Sequence, residues 1–164
     1  DQALKHSIAC MKEVLKRVPG KSYLVIENAA GGGTKIGTTS EQVRTLVKGV
    51  GSTRVKVCID TAHAFDAGLV DYAPKSTKAF FDAWEKAVGK GNIVALHAND
   101  SMTKFDSRHD RHENIGKGYI GKKGFANLVK DKRVKNLPWF LEVPGFDNNG
   151  PDKKNVDILK RIVA

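Results

Sequence analysis

No run of about 18 apolar residues occurs in this 164-residue chain, so no transmembrane helix is expected. No secretory signal is visible. Only two cysteines are present, Cys10 and Cys58, too few for a disulfide framework. Cys10 falls in a helical pattern and Cys58 inside a strand-like run, so both are expected as reduced, buried thiols. No Ser-rich or Pro-rich linker divides the chain, and no residue-level repeat stands out. With the length, this implies a single domain or half-domain over residues 1–164. Acid is in deficit: 18 Asp and Glu face 28 Lys and Arg, for a net charge of +10. A basic surface attracts polyanions and raises encounter rates with them, and nucleic acid is the first candidate. The chain begins on Asp1 rather than Met, so an N-terminal segment, with any targeting signal, is expected to lie before it.

What is present is a recurring pattern. Four short apolar runs each end on a residue able to bind metal. Tyr23-Leu24-Val25-Ile26 runs into Glu27, and Val55-Lys56-Val57-Cys58-Ile59 into Asp60. Ile93-Val94-Ala95-Leu96 runs into His97, and Trp139-Phe140-Leu141 into Glu142. The gaps between these ends are 33, 37 and 45 residues, each long enough for a helix and a return. Parallel strands joined by helices bring their C-terminal ends to one face, where distant ligands converge.

The segments between the runs read as helices. Residues 1–18 place Leu4, Ile8, Met11, Val14 (or Leu15) and Val18 at helical spacing, and Pro19-Gly20 stops them. Val43, Leu46 and Val47 face inward from a second helix, capped by Ser40 or by Thr38 or Thr39. A third covers Thr77 to Val88, a short one lies near Phe125–Val129, and a last one starts at Pro151-Asp152 with Val156, Leu159, Ile162 and Val163 inward. The order is one helix followed by four β-α units, which predicts an α/β fold with a parallel sheet. A complete (β/α)₈ barrel has eight units and about 250 residues, so this chain reads as half of a TIM-type barrel. Half a barrel exposes sheet edges and an apolar face, so pairing with another chain or poor stability is expected of it.

Several residues could carry chemistry. Asp60 and His63 can face one pocket, or Asp60 serves as a helix cap or a hydrogen-bonded corner. His97 is a ligand or a satisfied core histidine, with Asn99 or Asp100 holding the ring or the loop. The polar stretch from Asn99 to Lys123 is longer than connections in compact domains usually are, which marks it as functional or disordered. Within it Asp110 and His112, two apart in extended chain, point to one side and suit zinc; the alternative is a solvated charge cluster. His109 is out of that phase and is expected to face solvent or substrate. Glu27 and Glu142 end apolar strands, where a carboxylate without a partner is costly. Four such residues at one topological position point jointly to a metal site. The glycine-rich stretch Gly31-Gly32-Gly33 either lets backbone approach a ligand closely or is a flexible linker, and it matches no phosphate-loop or dinucleotide pattern.

Together, Val25-Ile26-Glu27-Asn28-Ala29-Ala30-Gly31, Val57-Cys58-Ile59-Asp60-Thr61-Ala62-His63-Ala64-Phe65 with Ala67-Gly68, the segment from His97-Ala98-Asn99-Asp100 through Ser107-Arg108-His109-Asp110-Arg111-His112 to Ile115-Gly116-Lys117-Gly118-Tyr119-Ile120-Gly121, and Leu141-Glu142 resemble endonuclease IV. That family comprises zinc-dependent AP endonucleases with a TIM-barrel fold, and the resemblance runs from Tyr23 onward. It implies three zinc ions. Glu27 would bridge two, Asp60, His97 and Glu142 would complete the second, and His63, Asp110 and His112 would hold the third. The implied reaction is hydrolysis of the phosphodiester 5′ to an abasic site in double-stranded DNA, with Glu27 and Glu142 as catalytic residues orienting the water. Zinc makes hydroxide available near neutral pH and clustered metals stabilise entering and leaving oxygens. The family's first zinc also takes two histidines from earlier barrel strands. His6, in a helix, cannot be one of them, so they are expected before Asp1.

Lys104, Arg108, Arg111 and Lys117 are the candidate DNA phosphate contacts, unless they only solubilise the loop. The resemblance further implies an intracellular compartment that holds DNA, and no membrane partner. Two competing readings remain. Sugar isomerases and epimerases of the related barrel also set Glu, Asp, His and Glu around one divalent ion, but have no need of His63 and the Asp110-Arg111-His112 triplet. A non-catalytic DNA-binding fragment is the other.

Overall fold

A computed structural model describes residues 2–163, with the side chain of Val163 left aside; the ends of the expected first and last helices at Asp1 and Ala164 lie outside it. Helix α1 covers Gln2–Arg17 and leads to strand β1, Leu24–Glu27. Helix α2 (Ser40–Val50) returns the chain to β2 (Val55–Asp60). A short helix α3 (Thr61–Asp66) and the longer α4 (Pro74–Val88) follow, then β3 (Ile93–His97). The long segment after it contains a small ladder, β4 (Asp100–Ser101) and β5 (His112–Glu113). Helix α5 (Gly121–Leu128), strand β6 (Trp139–Phe140) and α6 (Lys153–Val163) complete the described chain. The expected order of units stands. Tyr23 falls outside β1, and β6 stops two residues short of Glu142, which sits in irregular chain beyond the strand.

The main sheet is parallel, in the order β1-β2-β3-β6, so neighbours in space are neighbours in sequence, as in a barrel wall. The register sets Glu27 beside Cys58 and Asp60 beside His97. Alternation along each strand then divides the residues between two faces. Val57, Ile59 and Leu96 point into a helix layer and join Phe81, Trp84, Phe125 and Leu128 in the buried core. Glu27, Asp60 and His97 belong to the other face. That face is partly open, with Val25 42% and Phe140 53% exposed. These are positions that a complete barrel would turn inward.

Local chemistry explains the helix ends. Thr39, not Ser40, caps α2, accepting from the Gln42 amide at 3.3 Å, while Gln42 Oε1 accepts from the Gly37 and Thr38 amides. Helix α4 starts at Pro74, three residues before the expected Thr77, because proline fits the first helical position. Asp152 stands just outside α6 and accepts the Asn155 amide at 2.8 Å, so the helix proper begins at Lys153. Cys58 is buried as expected, but Cys10 is exposed, because it lies on the outer face of α1. No described helix is long and apolar enough to cross a membrane.

Candidate metal centre

The site is assembled from strand ends and the loops just above them. Asp60 closes β2, is fully buried, and caps α3: its Oδ1 accepts from the His63 amide at 2.8 Å. The cap and the ligand are therefore one residue, and α3 serves to turn His63 back over the strand ends. Asn28, next after Glu27, locks β1 to β2 by accepting the Asp60 amide at 2.7 Å and donating to the Asp60 carbonyl at 3.2 Å. Thr61 Oγ1 ties β2 to β3 through the Asn99 carbonyl at 2.6 Å and the Asn99 amide at 2.9 Å. Neither Asn28 nor Thr61 was singled out from the sequence. Their signal is position alone, an uncharged polar residue directly after a strand-end acid.

Asn99 is buried between two acids. Its Nδ2 donates to Asp60 Oδ2 at 2.6 Å, and its Oδ1 accepts the Glu142 amide at 2.7 Å. Glu142 is thus brought to the site by Asn99 rather than by strand pairing. Asp100 holds the loop and not a ring: its carboxylate accepts amides from Gly116, Gly118, Ile120 and Gly121. The long segment after β3 is consequently ordered, by that carboxylate and by Asp66, whose Oδ1 accepts from Ser101 Oγ at 2.6 Å and Thr103 Oγ1 at 2.8 Å.

Two ligand sets result. Glu27, Asp60, His97 and Glu142 each offer one atom within 4.8 Å of the others, and so do Asp60, His63 and His112. In the first, His97 Nδ1 lies 3.0 Å from Glu27 Oε1 and 3.3 Å from Glu142 Oε2. In the second, His63 Nδ1 donates to the Asn28 carbonyl at 2.8 Å, which fixes the tautomer and leaves Nε2 free to ligate. His63 Nε2 and His112 Nε2 are both buried and without a hydrogen bond, although a buried polar atom normally has one. Asp110 Oδ1 is 3.1 Å from the first and 3.7 Å from the second, so it faces the same gap. Asp60 Oδ2 reaches it too, 3.6 Å from His112 Nε2. The orphaned imidazole nitrogens and surrounding carboxylates fit a cation in kind and spacing.

The charges confirm a site rich in acid. Burial would raise Glu27, but hydrogen bonds from His63 and His97 prevail and hold it down at about 2. Burial pushes Asp60 up, against the pull of His63 and His112. His63 is pushed down by burial, yet Glu27, Asp60 and Asp110 carry it up to about 9. His97 rises to about 11, beside the Cys58 sulfur and the Glu27 carboxylate.

The glycine-rich stretch lies against the loop that carries Asp110. A Cβ at Gly32 would stand 2.9 Å from the Arg108 carbonyl oxygen, and Gly32 has φ +82°, so backbone meets backbone where a side chain cannot fit. Lys104, Arg108, His109, Arg111 and Lys117 are all exposed around the rim. Arg108 pairs with Asp106 at 3.2 Å, and Arg111 donates to the Asp110 carbonyl at 2.9 Å.

A half-barrel wall with ligands at its strand ends defines the class. The chain belongs to the xylose isomerase-like TIM barrel family, whose model matches residues 1–162. Within that family the expected likeness to endonuclease IV is met. The chain is 34% identical over 163 residues to the probable endonuclease 4 of Aquifex aeolicus, covering 99% of this chain and 57% of that protein. It is 41% identical over 134 residues to the corresponding Campylobacter curvus protein, covering 81% of this chain and 47% of that one. The crystal structure of endonuclease IV from Thermus thermophilus superposes with a TM-score of 0.78 at 32% identity, covering 95% of this chain and 57% of that one. The chain thus spans about half the length of the curated relatives it matches, in agreement with a half barrel. A D-tagatose 3-epimerase-like protein shares the fold at a TM-score of 0.66 and 21% identity, covering 98% of this chain and 54% of that one.

Proposed function

We propose that the protein carrying this chain is a zinc-dependent endonuclease that cuts double-stranded DNA on the 5′ side of abasic sites. The observation that carries the reading is the convergence of seven ligand-type side chains into two adjoining sets, with two buried imidazole nitrogens left unpaired. Likeness to proteins named endonuclease 4 supports the chemistry. Glu27, Asp60, His97 and Glu142 would hold one zinc, with Glu27 shared with a further ion. His63, Asp110 and His112 would hold another, with Asp60 close by. Zinc when bound acts as a Lewis acid that makes hydroxide available near neutral pH and neutralises charge on the phosphodiester.

The chain's own residues supply the rest. Asn99 and Asn28 fix the directions of Asp60, Glu142 and His63. Glu27 and Glu142, at the open side of the first set, would orient the attacking water. Exposed Lys104, Arg108, Arg111 and Lys117 ring the opening and would contact phosphates, giving salt-sensitive affinity. A compartment containing DNA follows from the substrate. The second set argues against a single-metal sugar isomerase, which would leave His63 and His112 unexplained.

Metal analysis of the full-length protein tests this. About three zinc per chain are expected, and Asp110→Asn is expected to abolish nicking of abasic DNA. One metal per chain with activity on ketoses would overturn the reading.

A further inference from the structure

A second basic feature lies beyond the rim residues. The start of α5 and one face of α6 enclose a groove of about 610 Å³, floored by Ile158 and walled by Lys122, Lys153, Lys154 and Arg161, with Lys117 at its mouth. Five cations and one acid, Asp157, line it, so four of the chain's ten surplus positive charges gather in this one depression. They are held in place. The stem of Lys122 lies across Gly116, where a Cβ would come within 2.6 Å of it. Lys154 Nζ sits 3.8 Å above the Phe146 ring, and Lys153 is anchored by Asp157 at 2.6 Å. Asp100 accepts the Ile120 and Gly121 amides at the start of α5 and Asp152 caps α6, so the positive charge of the groove comes from its side chains and not from helix ends. Asp152, just before α6, is already engaged by the Phe146 and Asn155 amides.

The groove is wired rigidly to the metal centre. Asn155 of α6 accepts the Ile115 amide at 2.8 Å and donates to Asn114 Oδ1 at 2.7 Å, and Asn114 donates to the Gly145 carbonyl at 3.1 Å. Both asparagines are buried, and Asn114 follows His112 by two residues. In parallel β-α folds helix N-termini and strand C-termini share one side, so the Lys153 end of the groove lies on the side of the ligands, while its lining runs down α6 to Arg161.

We propose that this groove is a track for the phosphate backbone of a DNA duplex, holding one flank of the substrate at a fixed distance from the metal centre. The inference rests on the reading that the protein acts on DNA. It adds Lys122, Lys153, Lys154 and Arg161 to the contact surface and meets the rim at Lys117.

The test compares full-length protein with the triple variant Lys122→Gln, Lys153→Gln, Lys154→Gln and with a charge-matched control, Lys5→Gln, Lys12→Gln, Lys16→Gln, all exposed on α1. Affinity for an undamaged duplex is measured across salt concentrations. Each lost phosphate contact flattens the log–log slope by about 0.9, so the groove variant is expected to flatten it by about 2 to 3 while the control changes little. For abasic duplexes shortened on one flank or the other, wild type should lose affinity on one side only, and the groove variant on neither. An unchanged slope, or equal flattening in the control, overturns the proposal. Persistent incision at abasic sites with an unchanged slope removes the groove and leaves the functional reading intact. A flattened slope with no incision by wild type does the reverse.

Discussion

Replacing Asn99 by alanine isolates the most informative contact in the site. The side chain spans two acids without being a ligand itself: Nδ2 to Asp60 Oδ2 at 2.6 Å, and Oδ1 from the Glu142 amide at 2.7 Å. Removal deprives a fully buried carboxylate of a donor, worth about 1.5–3 kcal/mol for a charged partner, and frees an amide worth about 0.5–1.5 kcal/mol. The full protein should therefore lose about 3 kcal/mol of stability on denaturant titration. Asp60 contributes an atom to both ligand sets, so its release should weaken metal retention as well. Outer partners of ligands commonly account for about 10- to 100-fold in affinity, and competition with a chelator should show a loss in that range. Asn99→Asp sharpens the comparison. It keeps an acceptor for the Glu142 amide but sets a second carboxylate against Asp60, so the metal-free form should suffer more than from alanine. If Asn99→Ala keeps zinc affinity within about threefold and stability within about 0.5 kcal/mol, Asn99 does not orient the ligands and the account of the site fails.

Two further outcomes follow from the same geometry. Cys58 and Glu27 carry His97 up to about 11, and Glu27, Asp60 and Asp110 carry His63 up to about 9, above their ordinary 6.5, so these contacts contribute fully below pH 6.5 and are lost as pH rises through those values. Glu27, held at about 2 against an ordinary 4.5, contributes above pH 4.5 and loses its share as pH falls toward 2. Denaturation of the chelated protein from pH 6 to 10 should therefore show declining stability, and a rise would contradict the ion-pair arrangement. The isolated 164-residue chain presents β1 and β6 as open edges, with Tyr23, Val25 and Phe140 exposed. Sedimentation should find it associated or unstable, and a cooperative monomer would count against the half-barrel reading.

How much of this could be read from residues alone differs by element. The strand ends were legible because each short apolar run stops on an acid or a histidine, and parallel strands bring such ends to one side. Glu27, Asp60 and His97 follow that rule in the structure. Glu142 was placed correctly for the wrong reason: β6 is only Trp139–Phe140, and a side chain from β3's loop, not strand pairing, delivers it. His63 and the Asp110–His112 pair stood out by spacing, but a helix cap or a solvated charge cluster explained them as well. His63 comes from a capped helix, and Asp110 and His112 from the segment that enters β5, and there the family resemblance chose between the alternatives. The two thiols show the opposite failure. A helical pattern says that a face exists but not that anything covers it, and Cys10 lies outward.

The asparagines mark where sequence reading stops. Asn28 looks like an ordinary loop residue, since asparagine is common after strands for reasons of turn chemistry alone, and Asn99 was expected to hold only the His97 ring or its loop. Both are buried: Asn28 pairs through its amide with the Asp60 backbone, and Asn99 reaches the Asp60 carboxylate itself and the Glu142 amide. A carboxylate asked to serve two ligand sets has to be held by something that brings no charge of its own. A lysine or arginine there would compete with the cation, and a second acid would repel Asp60 before metal arrived. A primary amide, with donors and an acceptor and no net charge, meets both demands, which is why the residues least conspicuous in the sequence sit at the mechanical centre of the site.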